Sequence, residues 1–306
     1  MKKGRAAGSL ACLAMIVMAS VASPDAQRRG GAPPQGGAPG RGGRGASAVE
    51  RITVRGPALE GALEGRAQRD SPEREVTVYL PPGYAADQKR RFPAVYLLHG
   101  AGQRENAFLD VLARLQEGAD RLAAAQGFSE FIVVTPNATT SAKEMYAGNW
   151  ERYVAEDLVA YVDGHYRTLA HRMSRGLAGH DTGGAAALRV GMRRPEIFSN
   201  LYLMSAVGDG NPASELEKYA ANLQAYYAIA MDVGAADSAV DWNRQLHTAM
   251  TKLRIPHAYE EYDGDRTNRL RERIERNVLV FFARHLASPA NLTSPSPPAD
   301  RLSNKP

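Results

Sequence analysis

Residues 175–188 read RGLAGHDTGGAAAL, and this stretch decides the fold. A short apolar run, Gly176 to Gly179, enters a tight turn flanked by Gly179 and Gly183, and the alanine-rich segment behind it continues as a helix. That is the layout of a nucleophile elbow, in which a strained strand-to-helix turn lifts one side chain out of a sheet. The central residue of such a turn is usually Ser. Here it is Asp181.

Outward from the turn, the chain alternates between two kinds of segment. FPAVYLLHG, EFIVVTPN, MSRGLAG, SNLYLMSA and AYYAIAMDVG are nearly continuous apolar runs that end in small, polar or turn-forming residues, as strands covered on both faces require. REVTVYL, which stops at Pro81-Pro82-Gly83, and HAYEEYDG are further strand candidates. Between them, NWERYVAEDLVAYVDGHY, SAVDWNRQLHTAMTKLR and NRLRERIERNVLVFFARHL carry apolar residues at helical spacing. Strands alternating with helices of this length predict right-handed crossovers and an α/β three-layer sandwich with a mostly parallel central sheet.

The ends of the 306-residue chain are of a different composition. MKKGR followed by LACLAMIVMASVA, with small residues at Ser20-Val21-Ala22, predicts a signal peptide over residues 1–22 and a secreted or periplasmic protein. The apolar run is too short for a spanning helix, so no transmembrane segment is expected after cleavage. Residues 23–47 are rich in Gly, Pro and Arg and predict a disordered tether; residues 288–306, rich in Pro and Ser, predict a disordered tail. The folded matter is thereby placed at 48–287, one domain's worth.

Leader and tether also explain the net charge of +5: residues 1–46 hold seven of the 38 basic residues and one of the 33 acidic ones. The rest is close to neutral, which gives no footprint for a nucleic-acid partner. Cys12, the only cysteine, lies in the leader, so cysteine nucleophiles, disulfides and thiolate metal sites are excluded from the mature chain. No His, Asp and Glu cluster has metal-ligand spacing, and neither a metal nor another cofactor is expected.

FPAVYLLHG, the stretch from GNWERY to GGAAAL, and RRPEIFSNLYLMSA together resemble the putative-esterase family of α/β-hydrolases, which includes esterase-D-like and feruloyl esterases. The resemblance covers nearly all of residues 50–286. It implies a carboxylic-ester hydrolase fold with a Ser-His-acid triad, and small-molecule esters or acylated sugars as ligands. The family's elbow reads like GLAGHSMGG, which puts Asp181 where Ser belongs. The acid position falls on Asp237 rather than on Asp232 or Asp241. The family His follows the last strand, where this chain has YDGDRTNRL and so Arg266. Oxyanion donors fall on the N–H of Thr182 and on Ala101 or Gly102 of LLHGAGQ. His99, Tyr146, Asn149 and Trp150 fall near the expected mouth of the cleft, where aromatics and amides suit a sugar or aryl group.

Arginine stays protonated at any working pH and cannot replace a general base. The two departures therefore predict one connected arrangement. At a helix N-terminus the Asp181 carboxylate can take the oxyanion donors itself, and Arg266 can pair with Asp181 and Asp237 in an ion cluster. Three roles stay open. The protein is a binding protein on a hydrolase body that has lost its Ser-His chemistry, an active hydrolase with Asp181 as nucleophile on an ester or alkyl substrate, or a protein-interaction module. The sequence leaves the oligomeric state undetermined.

Overall fold

The structure is a computed structural model that describes residues 45–60, 72–111, 114–125, 127–138, 146 and 148–288. The leader expected over 1–22, and nearly all of the expected tether and tail, lie outside the described residues. No helix among the described residues is long and apolar enough to cross a membrane.

Eight strands form one sheet in the order β1-β2-β4-β3-β5-β6-β7-β8. They are β1 (Ala48–Arg55), β2 (Glu73–Leu80), β3 (Ala94–Leu98), β4 (Ile132–Pro136), β5 (Arg175–His180), β6 (Asn200–Met204), β7 (Ala228–Gly234) and β8 (Ala258–Tyr262). From β4 to β8 every neighbouring pair is parallel. β1 and β2 are antiparallel additions at one edge. The apolar runs of β3 to β7 are the buried interior strands, as covering on both faces demands.

Alternate residues of each interior strand supply the two cores. From β3, Tyr96 and Leu98 face one layer with Leu177, Leu201 and Leu203, while Val95 and Leu97 face the other with Ala178, Tyr202 and Met204. The first layer is roofed by the helix running from α3 (Asn149–Arg152) through a wider turn at Tyr153–Leu158 into α4 (Val159–His165). α5 (Thr182–Arg193), α6 (Ala213–Gln224) and α7 (Val240–Lys252) complete it. The second layer holds α2 (Leu115–Ala124) and the C-terminal helix, which runs from α8 (Leu270–Arg273) through Ile274–Leu279 into α9 (Val280–His285). A short α1 (Pro82–Ala86) follows β2.

The strand order reverses at β3: the chain passes from β3 to β4 on one side and resumes with β5 on the other. In open α/β sheets a crevice forms at such a switch point, outside the carboxyl ends of the strands. Here the switch point lies between the β3 loop at His99–Gln103 and the β5–α5 turn at Asp181. Two glycines close the packing there. A Cβ on Gly179 would lie 2.0 Å from the Gly183 carbonyl oxygen, and one on Gly183 would lie 2.4 Å from the carbonyl oxygens of Leu98 and His99. Only glycine lets the N-terminus of α5 sit this close to β3 and β5.

Candidate active site

Asp181 is the last residue before α5, with φ 58° and ψ −128°. Positive φ is rare for a non-glycine residue and persists only where the surroundings over-determine it. They do so here. The Asp181 N–H donates to the Met204 carbonyl at 3.0 Å, and its own carbonyl accepts from Gly184 N at 2.9 Å and Val207 N at 3.0 Å. The side chain is left 14 % exposed, pointing out of the end of the sheet.

Three of the residues singled out in the sequence come together around that side chain. Arg266 Nη1 lies 2.5 Å from Asp181 Oδ1, and Arg266 Nη2 lies 2.7 Å from Asp237 Oδ1. Arg266 Nε also donates to Asp237 Oδ1 at 3.2 Å, and Nη2 to Ser238 Oγ at 2.6 Å. The Asp237 side chain is fully buried, and Oδ1 accepts from the Ala239 N–H at 2.9 Å as well. Burial works against the Arg266 charge. The two carboxylates outweigh it, Asp237 first and Asp181 second, and hold the guanidinium above its ordinary value.

The other oxygen of Asp181 faces β3. Oδ2 accepts from the Ala101 N–H at 3.3 Å. Of the two residues proposed as donors in this loop, Ala101 is the one that reaches Asp181; Gly102 turns the chain with φ 72°. A Cβ on Gly100 would sit 2.6 Å from Asp181 Oδ2, so the missing side chain is what makes room for the carboxylate. Thr182 opens α5 directly behind Asp181.

Three of the four residues expected at the mouth of a cleft are buried instead. His99 is 1 % exposed, Tyr146 0 % and Trp150 6 %. His99 Nε2 accepts from the Ala138 N–H at 3.0 Å, so its Nδ1–H donates to the Gly100 carbonyl at 2.9 Å. Burial lowers its pKa and keeps the ring neutral in that role. His99 is thus a brace for the β3 loop. Tyr146 packs edge-on against His99 and Trp150, and its hydroxyl donates to the Pro136 carbonyl at 3.3 Å. Trp150 carries the Arg74 guanidinium over its ring at 4.4 Å. The correction has a plain physical cause: all three rings find partners inside the core, and the polar tips of His99 and Tyr146 are hydrogen-bonded there as well. Asn149, at the start of α3, stays half-exposed.

The Arg266 backbone is held from below, which the sequence reading missed. His180 Nε2 lies 3.1 Å from the Arg266 carbonyl, and Arg273 Nη1 donates to the same oxygen at 3.1 Å. Since a carbonyl only accepts, His180 carries its proton on Nε2; burial lowers its pKa and keeps it neutral. Arg273 is 5 % exposed, ion-paired with the fully buried Asp232 and stacked on Tyr262 at 4.1 Å. Asp232 is therefore committed to Arg273, and Asp241, 83 % exposed, lies away from the cluster. Ser205 is buried with φ 43° and bonds Tyr262 OH at 3.2 Å and Arg273 Nη2 at 3.3 Å.

The remaining histidine rings are engaged away from the site: His165 with the Tyr161 carbonyl, His171 with Met173 N, His285 with the Phe281 carbonyl, and His247 with His257. No group of three or more His, Cys, Asp or Glu among the described residues is arranged to hold a metal ion.

A mostly parallel eight-stranded sheet with helices on both faces and a strand–turn–helix at the switch point defines an α/β-hydrolase. A family model described as Putative esterase matches residues 69–270, more than half of the chain, and the chain belongs to that esterase family. The endo-1,4-beta-xylanase/feruloyl esterase of Xylanibacter ruminicola is 31 % identical over 139 residues, covering 42 % of this chain and 19 % of the relative. Endo-1,4-beta-xylanase Y of Acetivibrio thermocellus is 30 % identical over 121 residues, covering 36 % of this chain and 11 % of the relative. The chain thus spans less than a fifth of the length of these two curated relatives. Among solved structures, a ferulic acid esterase superposes with a TM-score of 0.67 at 24 % identity, over 78 % of this chain and 98 % of that one. The S-formylglutathione hydrolase of Staphylococcus aureus gives 0.63 at 18 % identity, over 80 % of this chain and 100 % of its own. The feruloyl esterase module of Clostridium thermocellum complexed with sinapinate gives 0.64 at 20 % identity, over 79 % and 90 %. At these identities the structures share the fold.

Proposed function

We propose that this member of the esterase family does not hydrolyse esters through a serine–histidine couple, and that Asp181, Arg266 and Asp237 stand at its three triad positions as a closed ion clasp. The observation that carries this is the span of the Asp181 carboxylate, one oxygen on Arg266 at 2.5 Å and the other on the Ala101 N–H at 3.3 Å. A fixed carboxylate occupies the place where an ester's developing oxyanion would need donors, and a permanently protonated guanidinium occupies the place of the base. Both oxygens of Asp181 are engaged, which also works against a nucleophilic role.

The role left to such a site is binding. Feruloyl esterases of the same fold have been seen with sinapinate and with ferulic acid, and a small ester or acylated sugar is the ligand class that this similarity suggests. The basic-then-apolar leader of residues 1–22 places the protein outside the cytoplasm on the same reading.

The test is turnover of p-nitrophenyl acetate and of a feruloyl ester by the unsubstituted protein. The expected rate is that of the buffer, unchanged in Asp181→Ala. Turnover that Asp181→Ala abolishes would make Asp181 a nucleophile and overturn the proposal.

A further inference from the structure

At the outer edge of the sheet, two half-buried imidazoles meet. His247 on α7 and His257, just ahead of β8, approach with Nδ1 of the first 2.8 Å from Nε2 of the second. Their proton positions follow from their partners. His257 Nδ1 lies 2.7 Å from the Ile255 carbonyl, which can only accept, so that nitrogen carries the proton and Nε2 presents a lone pair. His247 therefore donates its Nδ1–H to His257 and leaves its own Nε2 as the unprotonated nitrogen.

For His257 this is the outer arrangement that metal-ligating histidines use: one ring N–H fixed on a backbone carbonyl, the other nitrogen free to face an ion. Both rings are held in place before any ion arrives. His247 stacks on Tyr259 at 4.4 Å with 13° between the planes, and His257 is fixed through Ile255. Two imidazoles bound side by side to one ion at about 2.0–2.1 Å per bond keep their nitrogens roughly 2.8–3.4 Å apart. The short end of that range belongs to right-angled tetragonal geometry and the long end to a tetrahedron. The observed 2.8 Å is the N–H···N hydrogen bond between the two rings, whose centroids lie 5.0 Å apart, so an ion that replaces the bonding proton needs both rings turned until their lone pairs converge on it.

We propose that His247 and His257 form a two-histidine site for a late first-row divalent ion, Cu2+ before Zn2+, that clips α7 to the start of β8. The preference follows from the general order of divalent affinities for nitrogen ligands. On binding, the ion takes the lone pair of His257 Nε2 and that of His247 Nδ1. The proton leaving His247 Nδ1 moves to its Nε2, so no net proton is released from the neutral pair. Glu261 is the nearby carboxylate, but Arg244 holds it through Nε at 2.9 Å and Nη2 at 2.7 Å, and the Tyr259 hydroxyl donates to it at 2.7 Å. Water completes the coordination.

The experiment is calorimetric titration of the untagged full chain with Cu2+ alone and with Zn2+ alone, beside His257→Ala, His247→Phe and the control His285→Ala. His247→Phe keeps a ring stacked on Tyr259 and removes the ligand, so its effect is separable from lost packing. One ion per chain is expected, Cu2+ tighter than Zn2+, with a raised thermal midpoint, and at least tenfold weaker Cu2+ binding in His257→Ala and His247→Phe alone. Absence of one-to-one binding, or a site that survives His247→Phe, overturns the assignment.

Discussion

Asp181→Ser combined with Arg266→His gives the protein an esterase activity about 10²- to 10⁴-fold above that of Asp181→Ser alone, the usual contribution of a positioned general base. The parts around the two substitutions are in place. Asp237 is fully buried with Oδ1 aimed at the side chain of residue 266, where it can accept the Nδ1–H of a histidine. The Ala101 N–H, freed from the Asp181 carboxylate, faces the oxyanion. The backbone of residue 266 is gripped by His180 and Arg273, neither of which is changed. Serine alone lacks a base, because Arg266 keeps its proton; histidine alone faces a carboxylate instead of a hydroxyl. Steady-state hydrolysis of p-nitrophenyl acetate by the wild type, both single variants and the double variant reads this directly. A double variant no faster than Asp181→Ser would mean that residue 266 does not stand where the family's base stands.

Arg266→Ala destabilises the fold by about 3 kcal/mol, at the low end of the cost of breaking a buried ion pair from one side. It strands two carboxylates at once. Asp237 has no exposure through which to recover hydration, and this drives the loss; Asp181, 14 % exposed, recovers part of it from solvent, which keeps the cost from going higher. Asp181→Ala costs less, since Arg266 retains Asp237 and Ser238 as partners. Urea unfolding of the three proteins measures both values. A cost for Arg266→Ala below about 1 kcal/mol, typical of exposed pairs, would show that the clasp is a surface contact.

The interior strands were legible because burial on both faces leaves an unbroken apolar run, as in AVYLL and NLYLM. β1 was not: AVERITVR is an edge strand whose charged Glu50, Arg51 and Arg55 face solvent, and it buries only Val54 fully. α6 escaped notice for a related reason, since ASELEKYAANLQ fully buries only Leu216 and Leu223. The meeting of residues 181, 237 and 266 could be anticipated from the resemblance to the esterase family, whose triad positions fall on them, and a parallel sheet brings the carboxyl ends of its strands to one edge. The burial of His99, Tyr146 and Trp150 could not. An aromatic with a polar tip suits a wet cleft and a core with one spare acceptor equally well, and the acceptors, Gly100 and Pro136 carbonyls among them, are set by tertiary packing. Nor could the support of Arg266 by His180 and Arg273, which depends on a backbone oxygen that sequence does not mark.

The central claim is that Asp181 and Arg266 satisfy each other, and a double-mutant cycle in stability over Asp181→Ala, Arg266→Ala and the pair measures it most directly. A stabilising coupling of about 1–3 kcal/mol between the two positions is the predicted result. Strictly additive losses would contradict it and leave Arg266 as a partner of Asp237 alone.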